Sequence, residues 1–251
     1  MITEAFDDKS EPIITPGSFF GEKQCLCDIA IATFSREIYP AVLKAYENEV
    51  VGNISAANRI KPIHMITVNG IKMVFYLSEI GSALAATDVM DVNWQTGATK
   101  FIMFGSAGAL DREVTDGKYV IPTEAYRDEG MSYHYAEPSD YISVKKADVV
   151  ADIFSKRGIP FVEGRVWTTD AIYMETKEMV RRRKEEGCIA VEMELAGVQA
   201  VCDFYGFELY DFLVTGDVVD QQEYNSDGLH DANHSTDKFN IAMEIAKSIN
   251  R

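Results

Sequence analysis

Two carboxylates at the end of an apolar run, Glu192 and Glu194 in Cys188-Ile189-Ala190-Val191-Glu192-Met193-Glu194, are the residues of this chain best suited to chemistry. The apolar residues before them suit a buried strand and Leu195 to Cys202 suit a packed helix, so both acids fall where strand becomes helix. In open α/β sheets ligands collect at the carboxyl ends of strands, and acids placed there can meet a neutral polyol such as ribose. The same acids also complement the positive N-terminal end of the following helix. For Glu192 both roles stand. A second acid beside the first adds repulsion that capping does not require, which points Glu194 toward a ligand.

Other strand ends carry usable groups. Arg36 follows the strand-like Asp28 to Thr33, and a guanidinium at such a junction can hold an anion beside free backbone amides, or simply lie in solvent. Phe101 to Phe104 reads as a buried strand breaking into the turn Gly105-Ser106-Ala107-Gly108-Ala109-Leu110, where small residues let amides approach a ligand and Ser106 adds a hydroxyl. This turn lacks the Walker lysine and the three-glycine dinucleotide pattern. Leu209 to Val214 ends at Thr215-Gly216-Asp217, an isolated acid. His134, in an aromatic loop from Tyr126 to Tyr141, is either packed or in contact with a ligand hydroxyl. Residues 218 to 235 read as a mobile polar loop over the site. His230 and His234 have metal-ligand spacing only on a helix, and Gly228 argues against one there.

The elements that must position these groups form one α/β domain. With 251 residues, 47% hydrophobic and 25% charged, the chain can bury a full core. Residues 1–24, with Pro12, Pro16, Gly17 and Gly21, read as an arm leading to the fold or to a neighbouring subunit, and 25–251 as the domain. Asn69-Gly70 between His64 to Val68 and Lys72 to Leu77 is a hairpin signal, so the central sheet is mixed, with helices around it. Helical patterns cover Glu37 to Asn48, Ala83 to Thr96, Lys146 to Arg157, Thr176 to Glu186 and Phe239 to Ile249. The cluster Arg181-Arg182-Arg183-Lys184 lies among glutamates and reads as a solvated helical face.

A formal charge of -16 argues against nucleic acid or an anionic membrane surface as partner. The 4 cysteines lack zinc-site spacing and suit a reducing cytoplasm. No cleavable leader and no run long enough to span a bilayer are present, so a cytoplasmic location is expected.

Taken together, Val191-Glu192-Met193-Glu194, Gly105-Ser106-Ala107-Gly108, Trp167-Thr168-Thr169-Asp170-Ala171-Ile172-Tyr173 and Gly216-Asp217 resemble the nucleoside phosphorylase and nucleosidase superfamily. The branch is that of hexameric purine nucleoside phosphorylase, uridine phosphorylase and methylthioadenosine nucleosidase, and the likeness runs from about Asp28 to Ile249. The resemblance implies that Glu194 accepts hydrogen bonds from the ribose 2′ and 3′ hydroxyls, with Glu192 beside it, and that Met193 packs under the sugar. It implies that Ala107, Gly108, Ile172, Tyr173 and Gly216 border the base, while Asp217 gives a proton to the purine N7. Arg36 and Ser106 match phosphate positions, and Arg59 one contributed by a neighbouring subunit.

The implied activity is phosphorolysis of a purine nucleoside to free base and ribose 1-phosphate by a pentosyltransferase. Phosphate is then a co-substrate, with no metal or organic cofactor, in a dimer or a hexamer of dimers. Met103 stands where phosphorylases of the family usually carry a second phosphate arginine, and Ala32-Thr33-Phe34 replaces their Gly-Asp-Pro-type turn. Hydrolysis by water, or nucleoside binding without turnover, therefore stays open.

Overall fold

Strands form where β-branched and aromatic residues cluster, and helices where the apolar period lengthens, in a computed structural model that describes residues 1–219 and 224–250. The first half holds α1 (Gly17–Phe20), β1 (Ile29–Thr33), α2 (Ile38–Ala45), β2 (Asn48–Ala56), β3 (Arg59–Val68), β4 (Ile71–Leu77) and α3 (Ser82–Thr96). There follow β5 (Lys100–Ala109), α4 (Arg112–Thr115), β6 (Tyr119–Asp128), β7 (Tyr141–Ser143), α5 (Ala147–Arg157), β8 (Phe161–Thr169) and α6 (Lys177–Glu185). The chain closes with β9 (Cys188–Glu192), α7 (Leu195–Tyr205), β10 (Glu208–Val219), β11 (Tyr224–Asn225), α8 (Leu229–His234) and α9 (Asp237–Ile249).

A single mixed sheet runs β11-β10-β6-β8-β9-β5-β1-β4-β3-β2, with β7 on β6. Because β10 also pairs with β5, the strands β5, β10, β6, β8 and β9 close into a ring, and β1, β4, β3 and β2 extend from it as a wing. Closure depends on β5 changing neighbours along one edge. Its first half, Lys100 to Phe104, pairs in parallel with Ile29 to Thr33, and β9 takes over antiparallel only at Gly108, opposite Val191. Gly105, Ser106 and Ala107 lie between these pairings. The carboxyl ends of β1 and β9 therefore meet at one gap, the kind of place where α/β sheets hold ligands.

The expected order of elements is present, with several differences. Gly105 to Ala109 is strand, not turn, because β10 pairs with it from Leu213 to Val218. The edge strand β2 escaped the sequence pattern because Ile54 is its only buried side chain, and backbone pairing to β3 holds the rest. The aromatic segment from Tyr126 is strand up to Asp128, then a 3₁₀ turn over Met131–His134. Of residues 218 to 235, expected as a loop, 229–234 form α8, while 220–223 lie outside the described residues, as does 251. Gly228 precedes α8 as its N-cap rather than breaking it.

The N-terminal arm lies on its own domain, with Trp94 Nε1 donating to the Gly21 carbonyl at 2.8 Å and Phe6 packed edge-on against Phe204. On α6, Arg181 and Arg182 pair with Glu178 in solvent as expected, whereas Arg183 is buried, its guanidinium 3.4 Å from the centre of the Tyr126 ring. Among the described residues no helix is long and apolar enough to cross a membrane.

Candidate active site

The junction of β9 and α7 is held from two sides. Glu192 is 5% exposed and accepts from the backbone amides of Glu194 and Leu195, each at 2.7 Å, and from the hydroxyl of Thr168, its partner in β8. Its carboxylate therefore serves the free amides that open α7, which is the capping role, one of the two that stood for it in the sequence. Burial pushes its acidity toward higher pH, and the donors oppose this.

Glu194 turns the other way. Its Oε1 accepts the Gly81 amide at 2.7 Å, at the head of α3, and Ser82 Oγ donates to the carbonyls of Met193 and Glu194 at 3.1 and 3.3 Å. Two close approaches make this grip possible. Gly81 has φ 99°, and a Cβ on Gly197 would lie 2.7 Å from Ser82 Cβ, so only glycine lets α7 cross α3 here. Burial and then the Glu192 charge raise the Glu194 carboxyl well above the ordinary range. Glu194 and Met193 are both half-buried.

Asp217 lies on the far side of β5. Gly108 pairs with Val191 on one flank and with Asp217 on the other, so the ends of β9 and β10 stand two strand spacings apart, about 10 Å. A Cβ on Gly108 would sit 3.6 Å from Asp217 Oδ1, 3.0 Å from Val191 Cγ1 and 2.7 Å from Val219 Cγ2, so glycine is what lets these side chains close in over β5. Burial raises the Asp217 pKa, and a hydrogen bond from Tyr224 opposes the rise. Sequence reading missed Glu175, which burial and the Asp217 charge push up to about 7. It sits beside the helix cap Thr176 and had read as an acid of the α6 surface; only folding brings its charge near Asp217.

The remaining candidates lie on several elements. Ala107 is buried, Ile172 is 52% and Tyr173 97% exposed, and His134 is exposed. Gly216 serves packing: a Cβ there would lie 2.5 Å from Ala232 Cβ, so its absence seats α8 on β10. Ser106 Oγ donates to Asn233 Oδ1 of α8. Arg36 is exposed, while its neighbour Ser35 is buried and accepts the amides of Glu37 and Ile38. Arg59 is committed within the chain, to Glu79 at 3.0 Å and to Asp88 at 2.9 Å. Burial lifts Asp88 to about 6 against the pull of Arg59. Met103 lies in the core at 4% exposure.

Residues 28–249 match the family model of the phosphorylase superfamily. The chain belongs to this superfamily. The match begins at the residue before β1 and ends with α9, so the arm lies outside the superfamily domain. A purine nucleoside phosphorylase of the DeoD type from Bacillus cereus is 26% identical over 156 residues, which cover 60% of this chain and 63% of that protein. The fold is similar to futalosine hydrolase of Helicobacter pylori, in a mutant structure, with TM-score 0.70 and 16% identity over 89% of this chain and 100% of that one. It is likewise similar to AMP nucleosidase from Bacteroides thetaiotaomicron, with TM-score 0.70 and 18% identity over 90% and 89% of the two chains.

Proposed function

We propose that this protein cleaves the N-glycosidic bond of a purine nucleoside, using phosphate as acceptor. The observation that carries the reading is the register at Gly108 of β5, flanked by the end of β9, which leads to Glu194, and by Asp217 on β10, whose pKa burial raises. Breaking the bond builds positive charge on the sugar and negative charge on the departing base. Glu194 holds the ribose hydroxyls and, when ionised, offers its anion to the sugar side, Met193 packs under the ring, and Asp217 delivers a proton to the base. A raised pKa suits that last role, since a general acid must still hold its proton near the working pH. Ala107, Gly108 and Ile172 border the base, with Tyr173 and His134 as outer contacts.

Ser106 and Arg36 receive the phosphate, and the name of the Bacillus relative favours this acceptor. A second reading, hydrolysis, draws on Arg59 and Met103: one arginine is already neutralised by Glu79 and Asp88, and the other position holds a core methionine. Each missing charge-assisted contact weakens phosphate binding by about 1–3 kcal/mol. The enzyme works without an organic cofactor, in the cytoplasm, as a dimer or hexamer whose neighbour completes the site.

A panel of purine and pyrimidine nucleosides assayed with and without phosphate tests both readings. Base release that requires phosphate and yields ribose 1-phosphate is expected. Undiminished release of free ribose in phosphate-free buffer would replace phosphorolysis by hydrolysis, and binding without turnover in either buffer would remove the enzymatic reading.

A further inference from the structure

At the β1 side of the gap, beyond Ser106, three metal-ligating side chains converge from two elements far apart in sequence. His230 and His234 lie one turn apart on α8, so both project from the same helical face, their ring centres 4.9 Å apart. Glu37, at the N-cap of α2, reaches them: its Oε1 is 3.5 Å from His234 Nε2. One donor atom from each of the three residues lies within 4.8 Å of the others. A tetrahedral ion with ligand bonds of about 2.0–2.1 Å needs its donors roughly 3.4 Å apart. The Glu37–His234 pair already has that spacing, and Glu37 and His230 are exposed and free to turn inward by the small remaining distance.

The surroundings are those of a supported ligand set. His234 Nδ1 lies 2.8 Å from Ser35 Oγ, a buried hydroxyl fixed by the amides of Glu37 and Ile38. An ion on Nε2 places the ring proton on Nδ1, and Ser35 Oγ accepts it by giving up the longer of its two amide contacts, that of Glu37 at 3.2 Å, since a hydroxyl has two acceptor lone pairs. The helix that presents both rings is itself anchored. Buried Lys238 donates to the carbonyls of Ala232 and Asn233, and Ala232 seats against Gly216.

We propose that Glu37, His230 and His234 bind a divalent transition-metal ion that clasps α8 to the start of α2. Two imidazoles and one carboxylate select the zinc, cobalt and nickel class over magnesium or calcium, which prefer oxygen ligands throughout. The clasp fixes α8 beside the gap, and with it Asn233, the partner of Ser106. The ion takes no part in bond cleavage, so the inference stands whether or not the proposed reaction is correct.

The test is a titration of chelator-treated protein with Co²⁺, followed by visible absorption, with Zn²⁺ as competitor. One Co²⁺ per chain is expected, saturating in the micromolar range and displaced by Zn²⁺. His230→Gln and His234→Gln should each weaken binding at least tenfold, Ser35→Ala by about 10- to 100-fold through loss of the outer contact, and His64→Gln should leave it unchanged. His230 is exposed, so its variant separates loss of a ligand from loss of folding. No saturable spectrum, equal binding in the His230 variant, or a near-ultraviolet thiolate band assigning the ion to a cysteine such as exposed Cys25 would overturn the proposal.

Discussion

Replacing Glu194 by glutamine is expected to cost activity while raising stability, a pairing that a purely architectural residue does not give. The carbonyl of glutamine can keep the 2.7 Å bond from the Gly81 amide, so the side chain stays in place. The other carboxylate oxygen, which accepts the sugar hydroxyls in the proposed reaction, becomes an amide nitrogen that cannot. Two charge-assisted hydrogen bonds lost at about 1.5–3 kcal/mol each lower kcat/KM on the order of 10²- to 10⁴-fold. Stability moves the opposite way. Burial and the neighbouring Glu192 charge oppose ionisation of Glu194, and every tenfold loss of acidity represents about 1.4 kcal/mol against the charged form. Removing a burden of roughly 1–3 kcal/mol should raise Tm by about 2–4 °C per kcal/mol in a chain of this size. Because the folded protein holds this proton more tightly than the unfolded chain, the wild-type penalty is absent below about pH 4 and grows as pH rises through the raised folded value. The advantage of the variant must follow the same course. Steady-state kinetics and thermal melts at acid, neutral and mildly alkaline pH check both halves. Unaltered kcat and KM, or a variant that melts below wild type at pH 8, would refute the reasoning.

Asp217→Asn should lower kcat by about 10²- to 10⁴-fold with little change in KM, and should flatten the alkaline fall in activity that a proton-donating carboxyl imposes. A kcat near wild type removes Asp217 from proton transfer. Thr168→Val keeps the shape of a fully buried side chain but takes a donor from Glu192 and an acceptor from the Ala196 amide, which it holds at 3.1 Å. A loss of about 3 kcal/mol is expected, or a Tm lower by about 6–12 °C. A shift of less than about 2 °C in calorimetry would show that Glu192 and α7 are held by other means.

Much of the fold was legible in the sequence because its signals are local. The Asn69-Gly70 pair specifies its hairpin by itself, since both residues take the positive φ that the tight turn demands, 52° and 80°. Gly97 ends α3 in the left-handed conformation for a similar reason. The Val-Glu-Met-Glu junction and the acid at 217 stood out because an apolar run stopped at charge. Strand β2 did not, because an edge strand with one buried side chain has no periodicity to read.

Folding alone decided which acid does what. Glu192 and Glu194 are alike as residue types, and they part company only because Thr168 and two amides surround one, while the head of α3, 113 residues away in sequence, holds the other. The same holds at the gap. A strand that gives up β1 at Phe104 and takes β9 at Gly108 leaves Gly105 to Ala107 without a partner on that edge, and a helix at 229–234 turns two histidines toward a glutamate near the other end of the chain. Propensity and hydrophobic period depend on neighbours in sequence; proton affinity, hydrogen-bond supply and open space depend on neighbours in the folded structure, and those exist only once the ring has closed.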